Sequence, residues 1–411
     1  MKYVVIGASA AGISAAETIR KLDSRNEVIV VSADERIYSR CMLHHVIAGK
    51  RSADSISFIH KDFFEKNAIQ WIKGVKVTGI LFDRQEIILQ DGKSIPYDRL
   101  LIATGSKAFL PPIKGLDNAR NVFKLRDISD VNEILEGAKN AKSALIIGAG
   151  LVGLDAAYGL MERGLRVSIV EMSDRVLPLQ LDYQAANNYQ KLFEQSGAKV
   201  YTGVSVSEAV TDMNGQIRSV RLNNGMEIEC NIIIAAVGVK PNIDFIKENT
   251  LKIDRGIAVN DRMQTTIQHV FAAGDVTGQS AIWPNAVKQG IVAAYNMTGV
   301  EKHIHDFFTA KNTINLLGLE TVSLGFVNAP DSTYSVDTLN KNGIYKKIIY
   351  KDGIVYGIIL QKDIARCGFW THVIKEKLKI DSSQKNFFNL SYADFFDIGK
   401  DGDYKYASVL T

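Results

Sequence analysis

The feature that most constrains the fold is a short segment that occurs twice: an apolar strand, a glycine-rich turn and the start of a helix. Residues 3–12 read YVVIGASAAG, and residues 144–153 read ALIIGAGLVG. Each copy is followed by an Ala-rich helix and a second apolar strand, at residues 28–31 and 167–170. Such strand–turn–helix–strand units build parallel sheets that helices cover. Two copies therefore predict an α/β protein with two Rossmann-like, doubly wound dinucleotide-binding domains.

The second glycine turn carries a complete dinucleotide fingerprint. Three glycines let a pyrophosphate approach the backbone N–H groups at a helix start. Glu171 ends the next strand, where a carboxylate binds both ribose hydroxyls and repels a 2′-phosphate, so NADH is favoured over NADPH. Arg175, four residues later, would weaken that preference. The predicted NADH contacts are Gly148, Gly150, Leu151, Val152, Gly153, Glu171 and Gly238.

The first glycine turn departs from the fingerprint. Its three positions are occupied by Gly7, Ser9 and Gly12. Ser32 stands where a ribose-binding carboxylate is usual, and Asp34 and Glu35 follow it. Ser32 or one of the two carboxylates could reach a ribose, or both carboxylates are solvated loop charges. From the residues alone, a bound dinucleotide is the favoured interpretation, and an unliganded strand–helix turn is the alternative.

Proline and glycine breaks in the chain, together with changes in its strand and helix pattern, predict three domains. Two prolines and a glycine at residues 111–115 mark a domain crossing. Residues 270–276 (VFAAGDV) are predicted to be a strand and turn that return to the first domain, which otherwise has too few strands. After the second unit, residues 199–206 and 227–237 are each predicted to be one strand, and the chain is β-rich from about residue 312. We expect a discontinuous first domain at 1–110 and 240–308, a second at 111–239, and a smaller α+β domain at 309–411.

Composition argues against several classes of function. The net charge is +4 over 411 residues, and no basic cluster is interleaved with aromatic residues, so we expect no nucleic-acid interface. The three cysteines are far apart and no CxxC occurs, so we predict no metal site. Apolar runs are too short to span a bilayer. The first strand begins at Lys2 or Tyr3, so we expect no targeting segment. Scattered cysteines suit a reducing cytoplasm.

Four separated motifs together resemble the pyridine nucleotide–disulfide oxidoreductase superfamily. They are the two glycine turns, ATG at residues 103–105 and AAGD at residues 272–275. The resemblance implies that the first turn binds FAD and the second NAD(P)H, and that Asp275 binds the ribityl chain of the flavin. The FAD contacts it implies are Gly7, Ser9, Ala10, Ala11, Gly12, Ser32, Asp34, Arg40, Val77, Ala103, Thr104, Gly105, Gly274 and Asp275.

Further segments narrow the resemblance to one branch. They are YSRCMLHHVIAG at residues 38–49, WPNAVKQGIVAAYNMTG at 283–299, NTINLLG at 312–318 and DGIVYGIILQKDIARCG at 352–368. They resemble NADH:rubredoxin oxidoreductases, the flavoprotein portion of assimilatory nitrite reductases, and flavin subunits of larger anaerobic complexes. The resemblance implies an FAD-dependent NADH oxidoreductase whose partner is a rubredoxin, a ferredoxin or an iron–sulfur subunit.

Three residues have two interpretations each. Cys41 resembles the redox cysteine of CoA-disulfide reductases and NADH peroxidases. In that interpretation the alternative function is a peroxide reductase, a CoA-disulfide reductase or an NADH oxidase. In the other interpretation Cys41 is a packed residue with no redox role. Asp155 resembles a carboxylate that lies near the nicotinamide–flavin junction in the family. In the alternative interpretation it is a carboxylate near a helix N-terminus, where the helix dipole stabilises its negative charge. Arg40 resembles a basic residue that stabilises reduced flavin, or it pairs with Asp34 or Glu35. A flavin-binding subunit without turnover is the third function left open.

The C-terminal segment is rich in aromatic residues. We predict that it caps the third domain, because regularly spaced aromatic residues are usually buried. Docking on a partner is the alternative. The residues concerned are Phe387, Phe388, Tyr392, Phe395, Phe396, Tyr404 and Tyr406.

Overall fold

A computed structural model describes residues 1–247, 250–279, 281–304, 311–380 and 387–406. The chain divides into two compact units. The first comprises Met1–Pro111, Phe123–Lys139 and Ala235–Phe307, and the second Pro112–Val122, Asn140–Ile234 and Phe308–Thr411. The finer division into three domains stays a prediction. Within the described residues, no helix is both long and apolar enough to cross a membrane.

The first unit is built on a five-stranded parallel sheet. Across the sheet, the strands are β18 (Val270–Ala272), β7 (Arg99–Ile102), β1 (Lys2–Ile6), β2 (Glu27–Ser32) and β3 (Gln70–Lys73). Because β18 pairs in parallel with β7, the prediction that residues 270–276 return to the first domain is confirmed.

Both faces of this sheet are covered, which explains its continuous apolar runs. One face packs against helices α1 (Ala10–Leu22) and α7 (Trp283–Met297). The other packs against an antiparallel sheet of β4 (Val77–Leu81), β5 (Glu86–Leu89) and β6 (Ser94–Pro96). The remaining elements of the unit are α2 (Leu43–Ile47), α3 (Phe63–Lys66), β8 (Ser106–Ala108), α4 (Ile128–Ala138) and β17 (Val239–Pro241).

The second glycine turn lies in another five-stranded sheet. Its strands, in order, are β12 (Lys199–Thr202), β11 (Arg166–Glu171), β10 (Ser143–Ile147), β16 (Ile232–Ala235) and β9 (Val122–Lys124). Helices α5 (Leu151–Glu162) and α6 (Tyr183–Gln195) follow β10 and β11 along the chain. A separate antiparallel sheet contains β13 (Val206–Thr211), β14 (Ile217–Leu222) and β15 (Glu227–Glu229).

Two predicted strands are each divided in the structure, so their predicted extents were wrong. Residues 199–206 break at Gly203, whose φ is +70°, and supply β12 to the parallel sheet and the start of β13 to the antiparallel one. Residues 227–237 break at Asn231, whose side-chain oxygen accepts hydrogen bonds from the backbone N–H groups of Lys142 and Ser143. In both cases the chain passes from one sheet to another within a segment that the pattern predicts to be one strand.

The C-terminal part of the second unit is an antiparallel sheet. Its strands, in order, are β19 (Lys311–Leu316), β20 (Leu319–Gly325), β23 (Ile354–Gln361), β22 (Ile344–Lys351) and β21 (Ser335–Lys341). Helix α8 (Cys367–Lys375) packs on this sheet, and the last pair of strands is β24 (Phe396–Ile398) and β25 (Tyr404–Tyr406).

Part of the aromatic segment caps this sheet, as predicted. Phe387, Phe388 and Phe395 are buried in one cluster with Trp370 of α8, whereas Tyr392 is largely exposed. The side chains of Phe396, Tyr404 and Tyr406 lie outside the described part of the chain.

Candidate functional site

The carboxyl ends of the first unit's parallel strands open into a cavity of about 750 Å³. Ligands of open α/β sheets bind at this edge. Cys41 lines the cavity and is exposed. The structure also places there all of the predicted FAD contacts except Gly12, namely Gly7, Ser9, Ala10, Ala11, Ser32, Asp34, Arg40, Val77, Ala103, Thr104, Gly105, Gly274 and Asp275.

The glycines of the first turn are required by close backbone contacts. Gly7 has a φ of +109°, and a Cβ on it would lie 2.2 Å from the carbonyl oxygen of Ala103. A Cβ on Gly12 would lie 1.9 Å from the oxygen of Gly7. Ser9 is the N-cap residue of α1, but its side chain makes no capping hydrogen bond. The first N–H groups of α1 therefore keep their capacity to bind an anion.

Ser32 is buried at the end of β2, and its hydroxyl is partly engaged. It donates to the backbone oxygen of Asp34 (2.8 Å) and accepts from the indole N–H of Trp71 (2.9 Å). A hydroxyl has one proton and two lone pairs. Ser32 therefore keeps one lone pair with which to accept a hydrogen bond from a ribose.

Arg40 lies between two carboxylates on the cavity wall. Its Nη2 is 2.8 Å from an oxygen of Asp34 and 2.8 Å from an oxygen of Asp127. Burial lowers the pKa of this guanidinium, but the nearby negative charges, with Asp127 first, raise it above its usual value. The predicted ion pair between Arg40 and Asp34 is thus present, and Arg40 forms a second ion pair with Asp127. A role for Arg40 towards reduced flavin stays a prediction.

Asp275 is held by two groups on other elements. Its Oδ2 accepts hydrogen bonds from the Ser106 hydroxyl (2.9 Å) and from Nη2 of Arg126 (2.6 Å). The Nε of Arg126 also donates to the backbone oxygen of Ser106 (3.1 Å). The neighbouring Gly274 donates its N–H to the buried Gln289 side chain (2.7 Å). Because Oδ2 has both of these donors, the ribityl-binding role predicted for Asp275 would fall mainly to Oδ1.

Sequence reasoning missed several residues of the cavity wall, including Arg126, Asp127 and Trp283. Arg126 and Asp275 are 149 positions apart in the chain. No spacing rule joins residues so distant, so only the assembled fold shows that they meet.

The second glycine turn leaves open space in front of α5. Gly148 has a φ of +99° and donates its N–H to the oxygen of Val170 (2.8 Å). Gly150 is the N-cap residue of α5, and a Cβ on it would meet no atom within 4 Å. Leu151, Val152 and Gly153 form the first turn of that helix. A side chain would fill this space, which is the space a bound pyrophosphate needs.

Glu171 is fixed beside that turn by two backbone donors. Its Oε2 accepts from the N–H of Ala149 (2.7 Å), and its Oε1 from the N–H of Ser173 (2.8 Å). Arg175 is engaged within its own loop. Its guanidinium donates to Asp174 (2.7 Å) and to two backbone oxygens, those of Pro178 and Leu181 (both 3.2 Å).

Two further predicted residues are Gly238 and Asp155. Gly238 belongs to the first unit, whereas the other predicted NADH contacts belong to the second. Its φ is +118°, and its oxygen accepts from the N–H of Phe109 (3.0 Å). Asp155 begins the second turn of α5 and is half-buried. Among the described residues, no group of three or more His, Cys, Asp or Glu could hold a metal ion.

A family model described as pyridine nucleotide-disulphide oxidoreductase matches residues 1–290. The chain belongs to this family. The resemblance drawn from the four motifs is therefore confirmed, and the protein is an FAD-dependent NAD(P)H oxidoreductase.

Two curated members of the family match almost the whole chain. The epsilon subunit of an NADH-dependent phenylglyoxylate dehydrogenase from Aromatoleum evansii is 32% identical over 400 residues, which cover 94% of each chain. The NADH-rubredoxin oxidoreductase of Clostridium acetobutylicum is 30% identical over 402 residues, which cover 96% of this chain and 97% of that one.

A solved member of the family also shares the fold. The crystal structure of NADH:rubredoxin oxidoreductase from Clostridium acetobutylicum superposes on this chain with a TM-score of 0.76 and 28% sequence identity. The match covers 95% of this chain and 97% of that chain. The predicted fold class, with two Rossmann-like domains, is confirmed. The cofactors of the family fit the residues present, because both glycine turns offer helix N-termini and Gly150 leaves the cradle open.

Proposed function

We propose that this family member oxidises NADH and delivers the electrons to an iron–sulfur or rubredoxin-type carrier, either a free protein or a neighbouring subunit of a complex. The observation that carries the proposal is the complete second glycine turn with Glu171 fixed beside it, in a chain whose first turn borders a large cavity. The names of the two curated relatives support the choice of partner, since one is a rubredoxin reductase and the other a subunit of a larger dehydrogenase.

Bound FAD would supply the capacity to take a hydride from NADH and to give up electrons one at a time, which suits a one-electron carrier. The chain's own residues bind and orient the two cofactors. We assign the pyrophosphates to the N-termini of α1 and α5. Asp275, held by Ser106 and Arg126, would fix the flavin's ribityl chain, and Glu171 would bind the nicotinamide dinucleotide through a ribose.

The test is anaerobic reduction of the purified protein by NADH. We expect bound FAD, rapid bleaching of the flavin absorbance, and reoxidation by added rubredoxin or ferredoxin. Asp275→Ala is expected to lower the FAD content, whereas Asp254→Ala, at an exposed position, is not. A protein that binds FAD but is not bleached by NADH would instead be a flavin-binding subunit without turnover.

The position of Cys41 supports a second candidate function. This exposed thiol lines the candidate FAD cavity, and a thiol beside a flavin can act as a redox group. In this alternative the protein reduces peroxide or a CoA disulfide, or acts as an NADH oxidase. Cys41→Ser separates the two functions: electron transfer to a carrier survives it if the first proposal holds, whereas disulfide or peroxide reduction is lost if the second does.

We also propose a cytoplasmic location. The support is compositional, since three cysteines far apart in the sequence suit a reducing compartment. Fractionation of the native cells tests it, and recovery of the protein outside the cytoplasmic fraction would contradict it.

A further inference from the structure

A buried charged cluster in the second unit connects the C-terminal sheet with the loop that follows Glu171. The side chains of Lys347 and Asp182 are only 10% and 8% exposed. The Nζ of Lys347 donates to Oδ2 of Asp182 (3.0 Å) and to the backbone oxygen of Val327 (2.8 Å). The Tyr345 hydroxyl donates to the same Asp182 oxygen (2.5 Å). Charges withdrawn from water must be paired and hydrogen-bonded, so this cluster holds Asp182 in one arrangement.

Asp182 is also the point where the loop becomes a helix. It is the N-cap residue of α6, and its Oδ1 accepts from the N–H of Ala185 (3.1 Å). One carboxylate oxygen therefore starts the helix, while the other is bound by two side chains of β22. The C-terminal end of the loop at residues 172–182 is thereby fixed to the sheet.

The middle of this loop, and Glu171 immediately before it, are bonded to the second glycine turn. The N–H of Leu177 donates to the oxygen of Ala149 (2.9 Å), and the N–H of Ala149 donates to Oε2 of Glu171 (2.7 Å). Ala149 lies between Gly148 and Gly150. Both of its backbone polar groups are therefore bonded to the loop or to the carboxylate that precedes it. Arg175 closes the loop on itself through the oxygen of Leu181.

We propose that Lys347 and Tyr345 are positioning residues for NADH. By holding Asp182 they fix the loop at residues 172–182, and the loop in turn fixes the Glu171 carboxylate and the glycine turn. The inference rests on the proposed function of that turn as the NADH site. According to this inference, the C-terminal sheet affects the affinity for NADH only by holding the loop in place.

The body of α6 has anchors of its own. The Tyr189 hydroxyl donates to the oxygen of Leu319 (2.6 Å), the Gln361 side chain donates to the oxygen of Ala185 (3.2 Å), and Asn188 donates to Gln361 (2.6 Å). None of these bonds involves Lys347. We therefore expect its loss to loosen the loop while α6 stays on the sheet.

The test measures steady-state kinetics of full-length, FAD-loaded Lys347→Met and Tyr345→Phe proteins with ferricyanide as acceptor. We expect the KM for NADH to rise about tenfold in Lys347→Met and about threefold in Tyr345→Phe, with kcat within about twofold of wild type and unchanged FAD content, because the loss is of binding that ground and transition states share. Lys347→Arg should recover most of the affinity.

Lys346→Met is the matched control. Lys346 is the neighbouring residue of β22, and its Nζ is 2.6 Å from Asp363. Its replacement removes an ion pair of the same sheet without touching the loop, so the KM for NADH should not change. A second measurement is tryptic cleavage after Arg175, which should be faster in Lys347→Met than in wild type or Lys346→Met.

Unchanged KM values in both variants, with a lower melting temperature alone, would overturn the inference. Equal effects in Lys346→Met would do the same. If Lys347→Met fails to fold, the KM for NADH of Tyr345→Phe tests the inference, because this variant loses one hydrogen bond and no charge. A wild-type protein that NADH does not reduce contradicts the proposed function itself, and proteolysis then tests whether the cluster holds the loop.

Discussion

At the scale of single residues, we propose that Glu171 sets the choice between the two nicotinamide dinucleotides. Two backbone N–H groups hold its carboxylate next to the glycine turn. Arg175, the nearby cation that would favour a 2′-phosphate, is bonded within its own loop. On this proposal, the Glu171 carboxylate repels the 2′-phosphate of NADPH, and Arg175 is not available to bind that phosphate.

Glu171→Gln should relax this preference. The amide keeps the shape of the side chain but removes the negative charge that repels a 2′-phosphate. We expect the ratio of kcat/KM for NADH to that for NADPH to fall about tenfold, or about 1.4 kcal/mol. Steady-state kinetics with both coenzymes measure it, and Glu229→Gln, at an exposed position of β15, is the control. An unchanged ratio would mean that another group discriminates.

The cysteines should differ sharply in reactivity. Burial raises the pKa of Cys230 to about 12. At pH 8 only about one Cys230 thiol in ten thousand is then ionised, and the thiolate is the reactive form. Cys41 is exposed at the cavity. Iodoacetamide should therefore alkylate Cys41 much faster than Cys230, and added FAD should slow the alkylation of Cys41. Peptide mass spectrometry measures both rates. Equal rates would contradict the burial of Cys230.

At the scale of elements, the positions of a glycine turn need glycine for different reasons. At the first and third positions of the first turn, Gly7 and Gly12 are needed because backbone atoms touch there. At the second position of the second turn, Gly150 faces open space. Glycine there leaves access to the helix N-terminus.

Alanine at the two positions should separate stability from binding. Gly12→Ala puts a methyl group 1.9 Å from the oxygen of Gly7, so we expect a clearly lower melting temperature and loss of FAD, at a cost of about 3 kcal/mol or more. Gly150→Ala meets no protein atom. It should leave the melting temperature within about 2 °C and raise the KM for NADH about tenfold. Thermal unfolding and NADH titration of both variants test this, and the reverse pattern would contradict the assignment.

Element extents were predicted less well than element types. The apolar strands after both glycine turns were found because their continuous apolar runs are typical of parallel sheets. The breaks at Gly203 and Asn231 were not found. At Asn231 the side-chain oxygen accepts hydrogen bonds from the N–H groups of Lys142 and Ser143. At the other break, the N–H of Gly203 donates to the oxygen of Ser173 (2.7 Å). No local pattern contains bonds to such distant parts of the chain.

At the scale of the whole molecule, the C-terminal aromatic segment completes a core. Phe387, Phe388 and Phe395 are buried against Trp370 and the C-terminal sheet. The segment therefore belongs to the folding unit, and it contributes to stability in addition to any role at the surface.

Phe395→Ala should destabilise the second unit. Phe395 is 2% exposed, and removal of a fully buried phenyl ring costs about 3–5 kcal/mol because it leaves a cavity. Val336→Ala, in the same unit and 42% exposed, should cost less than about 0.5 kcal/mol. Chemical unfolding followed by tryptophan fluorescence measures both, and a small effect of Phe395→Ala would show that the segment does not cap the core.

The sequence by itself determined the fold class, the family and the two candidate dinucleotide sites. These depend on local features, namely glycines where the backbone needs positive φ or close approach, apolar runs and a carboxylate at a strand end. The tertiary structure decided which side chains meet. Arg126 reaches Asp275 and Lys347 reaches Asp182 across 149 and 165 positions of the chain. Such pairs form only when strands distant in sequence are brought together, so a linear pattern cannot contain them.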